Sequence, residues 1–142
     1  MTEHPTTYQV QAQCWTGGTA RIIAGNQSLA VDTGWAVEPS GAPGPADLLA
    51  GAFAAGLMKN IERSSTLMGF TYQSATVQAQ ATRQDTPPRF TELEYRVDIV
   101  TDEPSRRVDV LHRNLRQFGT VYNTLAAACD VHGTVTAHAP TS

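Results

Sequence analysis

Polar and apolar residues alternate over Tyr8–Trp15, where Gln9, Gln11 and Gln13 separate Tyr8, Val10, Ala12 and Cys14. Alternation with a period of two predicts a half-buried strand, with Cys14 on its inward face. TGG at residues 16–18 predicts a turn, and Arg21–Ala24 and Ser28–Thr33 predict two more short strands around GNQ. The proline- and glycine-dense stretch EPSGAPGP, residues 38–45, predicts a loop. It ends at Pro45, a favoured first residue of a helix because the N–H that proline lacks would be unpaired there anyway.

From Pro45 to about Met68 the period changes to that of a helix, and Gly69 is placed to stop it. Leu49, Phe53 and Leu57 form one row, Leu48, Ala52 and Gly56 a second, and Ala50, Ala54 and Met58 a third. A helix with no polar face should be wrapped on several sides. Its second half, KNIERSSTLM, regains polarity and should approach the surface. A glycine inside a helix costs roughly 1 kcal/mol against alanine. Gly51 and Gly56 therefore imply close packing against another backbone.

Alternation returns at residues 72–82, with Ala75, Val77, Ala79 and Ala81 on one face. RQDTPPR, residues 83–89, predicts a long turn. Phe90–Val100 follows as a strand with Leu93, Tyr95, Val97 and Ile99 inward, completing an antiparallel hairpin. A second helix is predicted from about Pro104, its start helped by Ser105 and Asp109, with Val108, Leu111, Leu115 and Phe118 as its apolar stripe. Gly119 interrupts it, Thr120 can cap a further helical segment, VYNTLAAAC, and Val131–Ala137 forms a last strand. Three strands, helix, two strands, helix and strand make an α+β pattern in which sheets cover one long apolar helix. One small sheet is little cover for such a helix, so a homodimer that buries it is expected.

The 142 residues suit one domain. A net charge of −3, without a basic run, argues against a nucleic-acid partner. Arg106, Arg107, Arg113 and Arg116 read as a solvated helix face offset by Asp102, Glu103 and Asp109. The amino terminus has no apolar stretch to serve as a secretion signal. The longest apolar run, Leu48–Met58, is shorter than the about 20 residues a bilayer demands. A soluble, cytoplasmic protein without a membrane partner is the expectation, with Cys14 and Cys129 as free thiols.

Candidate chemistry is sparse. His132 and His138 share a strand face but stand about 20 Å apart at 3.3 Å per residue, too far for one metal. They, His4 and His112 read as surface histidines, and no metal or cofactor is expected. Cys14 reads as a small core residue, and Cys129 falls at the carboxyl end of a helix, where the dipole disfavours a thiolate. Glu92 with Glu94, and Asp102 with Glu103, read as solvated surface. No GxSxG, HExxH, P-loop or GxGxxG occurs.

Two segments carry a resemblance. GPADLLAGAFAAGLM, residues 44–58, and LRQFGTVYNTL, residues 115–125, with the hairpin between them and the closing strand, resemble the OsmC/Ohr (osmotically inducible and organic hydroperoxide resistance) family from about Tyr8 to Ala137. The resemblance implies an intertwined homodimer with antiparallel sheets wrapped around central helices. It also implies a thiol peroxidase, in which one cysteine attacks an organic hydroperoxide and a second resolves the sulfenic acid as a disulfide, with an arginine and a glutamate nearby. Carried onto this chain, the attacking cysteine falls on Gly56, the resolving cysteine on Gly119 and the glutamate on Ala46, with Asp47 one place along. Arg21 matches the arginine only with an offset of about two residues. The family's reaction is thus closed to those positions.

The expectation that follows is a homologue without peroxidase activity. Loss of both side chains would leave an apolar pocket at the dimer interface, near Phe53, Gly56, Leu57, Phe118, Gly119 and Tyr122, with Arg21 as a polar handle for a small apolar ligand. The alternatives are a peroxidase that has moved its thiol to Cys14 or Cys129, and a structural or partner-binding dimer in oxidative or osmotic stress.

Overall fold

The structure, a computed structural model, describes residues 6–35, 38 and 40–141. His4 lies outside them, as does part of the 38–45 loop. The chain divides into two compact units, Met1–Leu48 and Leu49–Ser142.

The first unit holds β1 (Gln11–Cys14), β2 (Thr19–Ala24) and β3 (Gln27–Asp32), an antiparallel sheet in the order β1-β2-β3. Its register sets Cys14, Ala20 and Val31 in one row. Ala20 and Val31 are buried, whereas Cys14 is exposed, against the expectation of a core residue. β1 is an edge strand and pairs only from Gln11 onward, so Tyr8 and Val10 have no strand opposite and are also exposed. The first unit ends at the start of α1 (Pro45–Met68). There Leu48 N–H makes the first helix bond to Gly44 C=O, and the Asp47 carboxylate accepts the Gly44 N–H at 3.0 Å, a donor that a helix start leaves open.

The second unit holds the rest of α1, β4 (Ser74–Asp85), β5 (Pro88–Val100), α2 (Ser105–Phe118), α3 (Thr120–Ala126) and β6 (Asp130–His138). Gly69, at φ +65°, takes the left-handed conformation that ends α1. β4 and β5 pair antiparallel, and β5 and β6 pair parallel, with α2 and α3 as the crossover such pairing needs. The hairpin strands run further than the sequence predicts, pairing Asp85 with Pro88 and closing the turn over two residues, with a register shift at Thr82/Arg83.

The expected inward residues of β5 are the centre of the core. Leu93, Tyr95, Val97 and Ile99 pack with Phe53, Leu57 and Ile61 of α1, Val108, Leu111 and Leu115 of α2, Tyr122 of α3, and Phe70. Ala75, Val77, Ala79 and Ala81 of β4 border it. The helix starts differ from expectation. Neither α2 nor α3 has a side-chain cap: Pro104 and Gly119 occupy the N-cap positions, and Ser105 and Thr120 lie inside the first turns. Gly119 O instead accepts the Asn123 N–H at 2.8 Å.

Within the second unit the core covers one side of α1. Phe53, Leu57, Asn60, Ile61 and Ser64 are buried, while Gly51, Ala52, Ala55 and Met58 are exposed. Apart from its own helix, nothing among the described residues lies within 4 Å of where a Cβ on Gly51 would stand, so the close backbone packing expected for it does not occur among them.

Candidate functional site

The two glycines matched to cysteines by resemblance differ in their surroundings. A Cβ at Gly56 would meet Val121 Cβ at 3.6 Å, ordinary contact. A Cβ at Gly119 would stand 2.9 Å from both Asn60 Nδ2 and Tyr122 Cβ, too close without movement. Asn60, one helical turn after Gly56, donates from Nδ2 to the Gly56 carbonyl at 3.3 Å. Its amide therefore fills the space beyond Gly119, whereas Gly56 faces only Val121 at ordinary contact distance.

The other residues of the expected pocket are divided. Phe53 and Leu57 are each 1% exposed and Tyr122 is 7% exposed. Phe53 stacks on Tyr122 with ring centroids 5.7 Å apart, and Tyr95 meets both rings at 5.9 Å. Phe118 is exposed and lies under the Arg63 guanidinium, 4.4 Å from the ring centroid. Arg21, in the first unit, is an exposed residue of β2 between Gln13 and Ala30 in register. Ala46 is exposed, and the neighbouring Asp47 carboxylate is committed to the helix start. Cys129 donates weakly from its thiol to Phe90 C=O at 3.4 Å.

A cleft of about 650 Å³ opens on the far flank of Tyr122, where α2, α3 and the start of β6 meet. The helical spacing of α2 brings His112, Arg113 and Arg116 to it, and Ala126 and Val131 supply apolar lining. At its edge Tyr95, 2% exposed, reaches out from β5 with its hydroxyl 2.6 Å from His112 Nε2. His112 is thus half-buried and bonded to a core phenol, where a surface histidine was expected. Burial, then the Arg116 charge, hold its pKa below the ordinary 6.5, with Asp109 opposing. Burial, with the neighbouring Tyr122, pushes the Tyr95 phenol above its usual range. Both groups are neutral near pH 7, and the phenol and Nε2 share one hydrogen bond whose donor is set by the imidazole tautomer.

The sign of that shift sets a pH effect. A histidine whose folded pKa lies below its unfolded value contributes stability above pH 6.5, and loses it as the pH falls. His132 has the opposite sign, raised chiefly by its bond to Glu92, and its contribution is greatest at acid pH. His112→Gln should therefore flatten the fall in melting temperature between about pH 7 and 5 relative to wild type, since His132 acts equally in both proteins. A fall of equal steepness in thermal scans contradicts the assignment.

Parallel pairing of β5 and β6 assembles a cluster that the sequence did not reveal. Glu94 faces His132 in register, and Glu92 shares the Glu94 side of β5. Their ligand atoms lie within 4.8 Å of one another, with His132 Nε2 and a Glu92 oxygen at 3.3 Å. One imidazole nitrogen and two carboxylates could hold a divalent cation such as zinc, and His132 already pairs with Glu92 without one. Further along, His138 Nε2 pairs with Asp98 at 2.9 Å.

Against known proteins, the sequence model described as OsmC-like protein matches residues 38–132. The crystal structure of an OsmC like protein from Mycoplasma pneumoniae aligns with a TM-score of 0.84 at 14% identity, covering 94% of this chain and 99% of that one. An organic hydroperoxide resistance protein OsmC from Legionella pneumophila aligns at 0.74 and 17% identity, covering 93% and 99%. The organic hydroperoxide resistance protein OhrB of Bacillus subtilis aligns at 0.67 and 16%, covering 92% and 98%. No curated protein matches the sequence. At these identities the structural likeness establishes the fold. No helix among the described residues is long and apolar enough to cross a membrane.

Proposed function

The chain belongs to the OsmC-like protein family, and from that premise we propose that it is a homodimeric member without thiol peroxidase activity, which holds a small, largely apolar molecule beside Tyr122. The observation that carries this reading is the packing at Gly56 and Gly119. Glycine offers no nucleophile, and Asn60 and Tyr122 stand 2.9 Å from where a Cβ on Gly119 would lie. The remaining thiols are poorly suited to replace the missing pair. Cys14 stands on an exposed edge strand, and Cys129 is spent on a carbonyl.

The ligand belongs on the accessible flank of Tyr122, because Phe53 and Leu57 have no free surface within the chain. Dimerisation is supported by the uncovered face of α1, whose small residues Gly51, Ala52 and Ala55 with Met58 would suit a close-packed partner helix.

Exposure of the protein to an organic hydroperoxide, followed by intact-mass analysis, tests the reading. The chain mass should not change on the timescale of an enzymatic turnover. Rapid gain of one oxygen at Cys14 or Cys129, or loss of two hydrogens on disulfide formation, would overturn it.

A further inference from the structure

We propose that the cleft beside Tyr122 takes a small organic monocarboxylate, its carboxylate held by Arg113 and Arg116 and its apolar body laid against Tyr122, Ala126 and Val131. This rests on the reading that the Tyr122 flank is the ligand site, and it adds the chemical class of the ligand.

Charge is the first ground. Among the described residues neither Arg113 nor Arg116 has a carboxylate within 4.0 Å, whereas Arg107, on the same helix, pairs with Glu103 at 3.1 Å and bonds Met68 C=O at 2.9 Å. Two guanidinium groups without ion pairs face one cleft, and Asp109 is the one carboxylate lining it. With His112 neutral the lining carries a net charge of one positive unit, which matches a monoanion rather than a phosphate dianion. A guanidinium fork also fits the two oxygens of a carboxylate.

The second ground is the arrangement of polar and apolar lining. Tyr95, fixed in the core, holds His112 by Nε2 and leaves Nδ1 without a hydrogen-bond partner among the described residues. That ring nitrogen and the two arginines lie on α2. Tyr122 and Ala126 lie on α3, and Val131 on β6. The site is thus cationic on one wall and apolar on the others, as an amphiphilic acid requires. About 650 Å³ is ample for an acid of eight or so carbons, within the usual range of small-molecule sites.

Calorimetric and amide-NMR titrations of the whole chain with octanoate, and separately with octanol, test the proposal. Octanoate should bind saturably and shift the His112 ring resonances, with octanol at least about tenfold weaker. Arg113→Gln with Arg116→Gln should weaken octanoate by at least about tenfold and leave octanol unchanged. Both arginines are exposed, so the variant should fold, and Arg116→Lys, which keeps charge but not the fork, should lie between. Equal binding of the two probes, or of octanoate to wild type and double variant, overturns the carboxylate assignment while the Tyr122 site stands. Binding of neither probe overturns both.

Discussion

Gly133→Ala is expected to cost about 3 kcal/mol of folding stability and to lower the melting temperature by about 10 °C. Gly133 lies opposite Tyr95 in the parallel β5/β6 register. A methyl group there would fall on the Tyr95 carbonyl oxygen and on the root of its ring, the tightest approach at any of the eleven glycines. Neither can move cheaply. The carbonyl is part of the sheet, and the ring is wedged against Phe53 and Tyr122. The substitution must spread the strands or turn the phenol away from His112. Thermal denaturation with a parallel record of the His112 resonances measures both. A drop of less than about 1 kcal/mol would show that Gly133 does not set the position of Tyr95.

Gly119→Cys should destabilise the protein by about 2 kcal/mol, whereas Gly56→Cys should be close to neutral. Backbone strain plays no part at Gly119, whose φ of −79° suits any residue. The cost comes from displacing Asn60, with loss of its bond to Gly56 C=O, and from crowding Tyr122 at its Cβ, which is fixed to the α3 backbone. At position 56 the new Cβ meets Val121 at ordinary distance and the helix gains from losing a glycine. The asymmetry is the informative part, and urea denaturation of the two single variants reads it directly. Equal and small effects would mean that the space beyond Gly119 is still open to a thiol.

The periodicity of side chains located most of the fold. Helix α1 runs from Pro45 to Met68 as proline, glycine and the apolar rows require, and β5 buries the four alternating residues it should. Alternation was misleading at Tyr8, Val10 and Cys14, because a pattern reports which residues could share a buried face and not whether anything covers it. The site was harder to read. His112 and Tyr95 stand 17 residues apart, and only the packing of α2 on the inner face of the sheet joins them. Glu92, Glu94 and His132 meet through parallel pairing, which a sequence does not specify. Asn60 could have been noticed, since it recurs one turn after Gly56, but its filling of the Gly119 space depends on how α1 meets α3.

Steady-state consumption of an organic hydroperoxide, with a dithiol reductant in excess and the wild-type protein as catalyst, tests the central claim most directly. The rate should be no greater than that of reductant alone at any protein concentration. A saturable rate proportional to protein, and lost in Cys14→Ser or Cys129→Ser, would contradict it.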